Sequence, residues 1–242
     1  MSEPNVTART NSQIDLRTWV AMAMLTAVAY VIMYLSKMLP SVNGFLDFDF
    51  KDVVICISGF IYGPVPAAII SIVVALIEMV TISHTGPIGL IMNILATCSF
   101  CCTATFVYKK HHTMKGAVIG LSLGVIALVV VMLLWNYLIT PLYMNQPREQ
   151  VAALLVPMFL PFNLFKGSLN AALTLLLYKP VVRALRRAKL IEPEEKPAAY
   201  DTPLADGEAP SNSRANLAGM LIAVAVLIAV CVVLLLVLKQ ML

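Results

Sequence analysis

The stretch VPMFLPFNLFKGSLNAALTLLLYK, residues 156–179, is apolar enough to cross a bilayer, yet it carries Lys166 near its middle and Asn163 three residues earlier. A hydrocarbon core about 30 Å thick asks for about 20 predominantly apolar residues in a helix. An ammonium at that depth costs about 3 kcal/mol or more unless it is paired or lines a polar cavity. A lysine held there marks a place where the protein keeps something polar inside the membrane.

Outward from this stretch the rest of the chain has the same character. Of 242 residues, 60% are hydrophobic and only 12% charged, about half the charged share of an ordinary soluble domain, and the mean hydropathy is +0.87. The composition predicts an all-α integral membrane protein. The polar opening MSEPNVTARTNSQIDLRT has no short apolar core followed by a small-residue cleavage site, so the first helix is expected to direct insertion itself.

Seven apolar segments are readable. They run over about 19–38, 52–62, 65–80, 87–108, 115–138, 154–185 and 217–238. The second and third are separated by Gly63-Pro64-Val65-Pro66, because proline cannot continue a helix interior. Twelve of the seventeen lysines and arginines fall on one side when the N-terminus is placed inside, four on the other, with Lys166 between. The positive-inside rule then puts both ends of a six-helix core in the cytoplasm. The domain reading is a cytoplasmic tail over 1–16, a six-helix membrane domain over 17–189, a linker over 190–216 and a further transmembrane helix over 217–242. The linker holds four prolines and six acidic residues within IEPEEKPAAYDTPLADGEAPSNSRAN, too little apolar surface to pack, and is expected to be a disordered tether. The last helix is read as a lipid-facing anchor that leaves the C-terminus outside if it spans. The expected surroundings are the bilayer, with no nucleic-acid partner.

Several chemistries are excluded by what the chain lacks. There is no phosphate-binding GxxxxGK[ST] loop and no HExxH. If the chain pumps, a partner supplies the energy. The CxxC within CSFCC has no second pair and no nearby histidine, so the five cysteines read as small hydrophobes and no metal site is expected. His84, His111 and His112 lie in loops, the last two beside Lys109 and Lys110 as part of an inner basic turn.

Side chains that bind without reacting remain. Asn163 and Lys166 share one helix face and present an amide and a cation together. Asn136 lies late in the fifth helix and Asn93 in the outer half of the fourth. The topology gathers these at outer to middle depth, which predicts one outward-opening pocket; the bland alternative is interhelical hydrogen bonding at about 0.6 kcal/mol each. Glu78, near the outer end of the third helix, is expected to snorkel to the interface rather than pair with Lys166. In FLDFDFKD, Phe45, Phe48 and Phe50 alternate with Asp47 and Asp49, which suits a short extended flap over a pocket or an aromatic belt at the interface.

The run LDFDFKDVVICISGFIYGPVPA, then TGPIGLIMN, WNYLITPLY and PFNLFKG, resembles the substrate-binding S component of an energy-coupling factor (ECF) transporter, in its riboflavin-binding branch. The resemblance covers about residues 15–187. It implies a six-helix bundle that captures a vitamin from outside and delivers it through a transmembrane T component and two ATP-binding subunits, which consume the ATP. It implies no enzyme activity and no cofactor, riboflavin being cargo. It assigns vitamin contacts to Asn136, Asn163 and Lys166, with Asn93 and Phe45 as further candidates. The first outer loop, with Phe48 and Asp49, becomes the gate. Ala23 and Ala27 become the small-residue face toward the T component. The other readings are an S component for thiamine, biotin or folate, an intramembrane enzyme using Lys166 as base or nucleophile, and a membrane scaffold. The seventh helix departs from the six-helix pattern.

Overall fold

The computed structural model describes residues 16–39, 47–83 and 85–191, and all regular structure among them is helical. Eight α-helices run α1 Leu16–Ser36, α2 Lys51–Tyr62, α3 Pro64–Thr81, α4 Gly86–Lys110, α5 Met114–Leu138, α6 Thr140–Met144, α7 Arg148–Leu154 and α8 Leu160–Arg187. Five stretches among the described residues are long and apolar enough to span: α1, α3, α4, α5 continued through α6, and α7 through α8. The N-terminal tail, Phe45, most of the linker and the seventh apolar segment lie outside the described residues.

Helix α2 is the exception in length and the centre of the packing. At 12 residues it is about 18 Å long, short of the bilayer core. Every residue from Lys51 to Phe60 is buried, and α1, α3, α4 and α8 all pack against it. A helix enclosed on all sides needs no polar stripe, and VVICISGF supplies none. It ends at Gly63, whose φ of +101° is open to glycine, and Pro64 starts α3 where a missing N–H costs nothing.

The tightest helix pair is α4 with α5. Gly116, Gly120 and Gly124 stand four apart on α5. A Cβ on Gly120 would lie 2.6 Å from the Ala104 carbonyl oxygen, and one on Gly124 would lie 2.7 Å from that of Phe100. Backbone therefore meets backbone there, where van der Waals contact drives association without a hydrophobic term. The sequence reading passed over this glycine ladder.

The stretch that opened the reading is not one uniform helix. A π-helical turn over Leu155–Phe159 joins α7 to α8, with Pro157 inside it and Pro161 just beyond. Prolines withhold N–H groups from the i−4 ladder, and a wider turn absorbs the mismatch. The single helix expected over about 154–185 is thus α7, a π turn and α8.

Candidate functional site

Four helices converge on the described end of the connection from α1 to α2, residues 47–50. Phe48 lays its ring against two α8 rings, with centroids 5.6 Å from Phe162 and 5.4 Å from Phe165, the latter edge-on. These flank Asn163 and Lys166 in sequence, so the connection closes onto the α8 face that carries the polar pair. The Phe50 N–H donates to Ser36 Oγ at the end of α1 at 3.3 Å. The Asn170 side-chain N–H donates to the Asp49 carbonyl at 3.0 Å.

Beneath this segment lies an ion-pair network. Lys51, 1% exposed, bonds Asp49 through its ammonium, while its backbone N–H donates to the other Asp49 carboxylate oxygen at 3.0 Å. The same ammonium reaches Glu78 on α3 at 3.0 Å. Lys37, just past α1, adds Glu78 at 3.3 Å and Asp47 at 2.9 Å. Burial alone would push the Asp49 carboxyl up; Lys51 beside it, and then Lys166, outweigh that and hold it below the usual carboxylate range. Asp52, also buried, accepts a hydrogen bond from the Thr97 hydroxyl of α4 at 2.7 Å.

Glu78 is where the structure corrects the expectation. It neither snorkels nor pairs with Lys166; at 1% exposure it is the acid that Lys51 and Lys37 share. The partners lie 27 and 41 residues away along the chain, so no local pattern announced them.

The remaining sequence candidates fall as follows. Asn163 is buried on α8 and donates to the Phe159 carbonyl at 2.8 Å, at the edge of the π turn. Lys166 is half-buried one turn further on. Asn136 is buried late in α5, its side-chain oxygen accepting from the Thr140 hydroxyl at 2.9 Å, so its N–H groups are what it retains for a ligand. Asn93 is half-buried on α4. Ala23 and Ala27 lie exposed on α1, while Ala21, Leu25 and Ala29 turn inward. Asn170, missed in the sequence, continues the face of Asn163 and Lys166 at the next helical positions. Elsewhere, an apolar crevice of about 170 Å³ opens between α1, α2 and α8, lined by side chains such as Leu25, Ile32, Val54 and Leu177. With no polar lining residue it offers nothing to a ligand with a hydrogen-bonding edge.

Among the described residues no group of His, Cys, Asp and Glu is arranged to hold a metal ion. The arrangement suits reversible binding: a cation and amides on one helix face, aromatic rings above them, and a buried charge network that fixes the overlying segment.

Comparison with known proteins places this geometry. A family model described as the substrate-specific component of ECF transporters matches residues 17–178. The chain is 29% identical to the riboflavin transporter RibU of Staphylococcus aureus (strain TCH60) over 69% of its length and 92% of that protein. It is 31% identical to the riboflavin transporter FmnP of Bacillus subtilis (strain 168) over 73% of its length and the whole of that protein. A solved S component of a bacterial ECF transporter superposes with a TM-score of 0.60 at 30% identity, covering 71% of this chain and 98% of that one.

Proposed function

The chain belongs to the family of substrate-specific components of ECF transporters, and we propose that it is a riboflavin-binding one. It captures the vitamin from outside and hands it to a transmembrane T component driven by two ATP-binding subunits. The observation that carries this reading is the packing of Phe48 onto Phe162 and Phe165, beside Asn163 and Lys166. The named activity of the relatives RibU and FmnP supports the same cargo.

The ligand's chemistry fits. Riboflavin has a flat, largely apolar tricycle, an amide-like edge and a polyhydroxyl tail. Rings at the loop and α8 supply stacking surface. Lys166 is donor-only and suits carbonyl and hydroxyl oxygens, and the uncommitted N–H groups of Asn136 serve the same acceptors. Asn163 contributes from the same face as Lys166, and Asn93 and Phe45 complete the proposed set. Residues 47–50 act as the inner edge of a gate that opens to admit the vitamin. No covalent step belongs to this chain. In this reading both ends of the core face the cytoplasm, and the C-terminus lies outside if the apolar segment over 217–238 spans.

Titrating detergent-purified full-length chain with riboflavin, by calorimetry or by quenching of flavin fluorescence, tests the reading. One-to-one tight binding is expected, since a site that closes over a flat ligand buries most of its surface. Absence of flavin binding beside clear binding of thiamine, biotin or folate would move the chain to another vitamin.

Coupling is separable from capture. Ala23 and Ala27 lie on the exposed face of α1, away from the site. Ala23→Trp or Ala27→Trp is expected to lower riboflavin uptake by cells that express the whole transporter, while the purified variants keep nearly wild-type affinity, because a bulky side chain blocks close helix approach without reaching the pocket. A parallel fall in both measurements would assign the residues to the fold instead of the interface.

A further inference from the structure

Two buried side-chain polar atoms lack a hydrogen-bond partner among the described residues: the Tyr62 hydroxyl and Asn170 Oδ1. Tyr62 stands at the opposite end of α2 from the site. Asn170 stands in it. Its N–H is committed to the Asp49 carbonyl, and that fixes the amide and leaves its carbonyl oxygen, in a residue 1% exposed, with nothing to accept from. An acceptor stranded in this way bears its desolvation cost unrepaid, and a ligand donor would recover it.

Asn170 Oδ1 is the buried acceptor of the site that is left without a donor. Lys166 only donates, and the Asn136 oxygen is already occupied by Thr140. The imide edge of a flavin alternates acceptor, donor, acceptor: two carbonyls flank one N–H. Donors alone would satisfy the carbonyls and strand that N–H. Asn170 follows Asn163 and Lys166 on α8 at spacings of seven and four residues, so all three face the same way.

We propose that Asn170 is a recognition residue whose side-chain carbonyl accepts a hydrogen bond from the imide N–H of the flavin, and that Glu78, through Lys51 and Asp49, is the positioning residue that keeps this carbonyl aimed. The linkage is continuous. Glu78 holds the Lys51 ammonium, Lys51 holds the Asp49 carboxylate by side chain and by backbone N–H, and the Asp49 carbonyl holds the Asn170 amide. Asp49 thereby serves recognition through its main chain, and its carboxylate serves as the anchor. This rests on the riboflavin reading above and adds which edge of the ligand is read, and by what.

The test is a cycle between protein and ligand variants, with affinities measured on the full chain in one detergent. The proteins are wild type, Asn170→Leu and Glu78→Gln; the ligands are riboflavin and riboflavin methylated on the imide nitrogen. Asn170→Leu is expected to weaken riboflavin binding roughly tenfold, the worth of one buried hydrogen bond, and to leave the affinity for the methylated ligand nearly unchanged. Glu78→Gln should shrink the preference of the site for riboflavin over the methylated ligand, a ratio that general loosening of the fold would not move. Equal losses for both ligands in Asn170→Leu would overturn the proposal, because the residue would then act on the fold alone. So would a wild type that binds the two ligands equally well. A wild type that binds neither overturns the proposal together with the flavin reading, whereas the first two outcomes leave that reading standing.

Discussion

Lys166→Met is expected to weaken riboflavin binding by roughly 10- to 150-fold, the equivalent of one charge-assisted hydrogen bond of about 1.5 to 3 kcal/mol, and to leave the ligand-free protein about as stable as wild type. The structure sharpens the second half of that expectation. Lys166 is half-buried, and the short ion pairs of the site are made by Lys51 and Lys37. Its attraction to Asp49 is the lesser one, after that of Lys51. Methionine keeps most of the length and apolar stem, and removing a charge from membrane depth relieves a solvation cost. Asn163→Leu should weaken binding in the same direction, since both side chains stand on one face. Affinity and apo melting temperature in the same detergent decide the matter. A large loss of apo stability with unchanged affinity would make Lys166 structural and send the search for the ligand elsewhere.

What the sequence made legible was whatever repeats locally. Among the described residues, apolar runs gave α1 to α5 to within a few residues. The Gly63-Pro64 break separated α2 from α3 because a positive φ followed by a missing N–H is written in two adjacent letters. Asn163 with Lys166 was visible because helical spacing puts them on one face. The glycine ladder on α5 is equally local, four residues apart, but spacing alone does not say which helix backbone it meets. Lys51 with Glu78 was different. Each looked like an isolated charge near a helix end, and only the approach of α3 to the start of α2, with the whole of α2 buried, turned them into partners. Asn170 fell between: its position on the face was readable, whereas the commitment of its N–H to Asp49, 121 residues away, was not.

Lys51→Met is expected to be the most damaging single change in the fold, at about 3–5 kcal/mol, the usual cost of stranding buried partners when one member of an ion pair is removed. Both of its acids are buried, and Asp49 loses its nearest cation while Glu78 falls back on Lys37 alone. Adding Asp49→Asn should restore a good part of the loss by removing one stranded charge, and the non-additivity measures the pair directly. The pH dependence carries the sign. In wild type, Asp49 is held below its ordinary value of 3.8, so its contribution is present above that value and is lost as pH falls through the lower folded-state value. Without the Lys51 ammonium the burial cost faces mainly the lesser attraction of Lys166, and the Asp49 carboxyl is expected to rise above its ordinary value. The folded variant then takes up a proton that the unfolded chain does not, so its deficit should narrow as pH is lowered from about 7 toward about 4. Unfolding in one detergent across that range would show the narrowing. A deficit constant with pH would trace the damage to lost packing of the lysine stem, and a variant as stable as wild type would mean that the network contributes nothing net to folding.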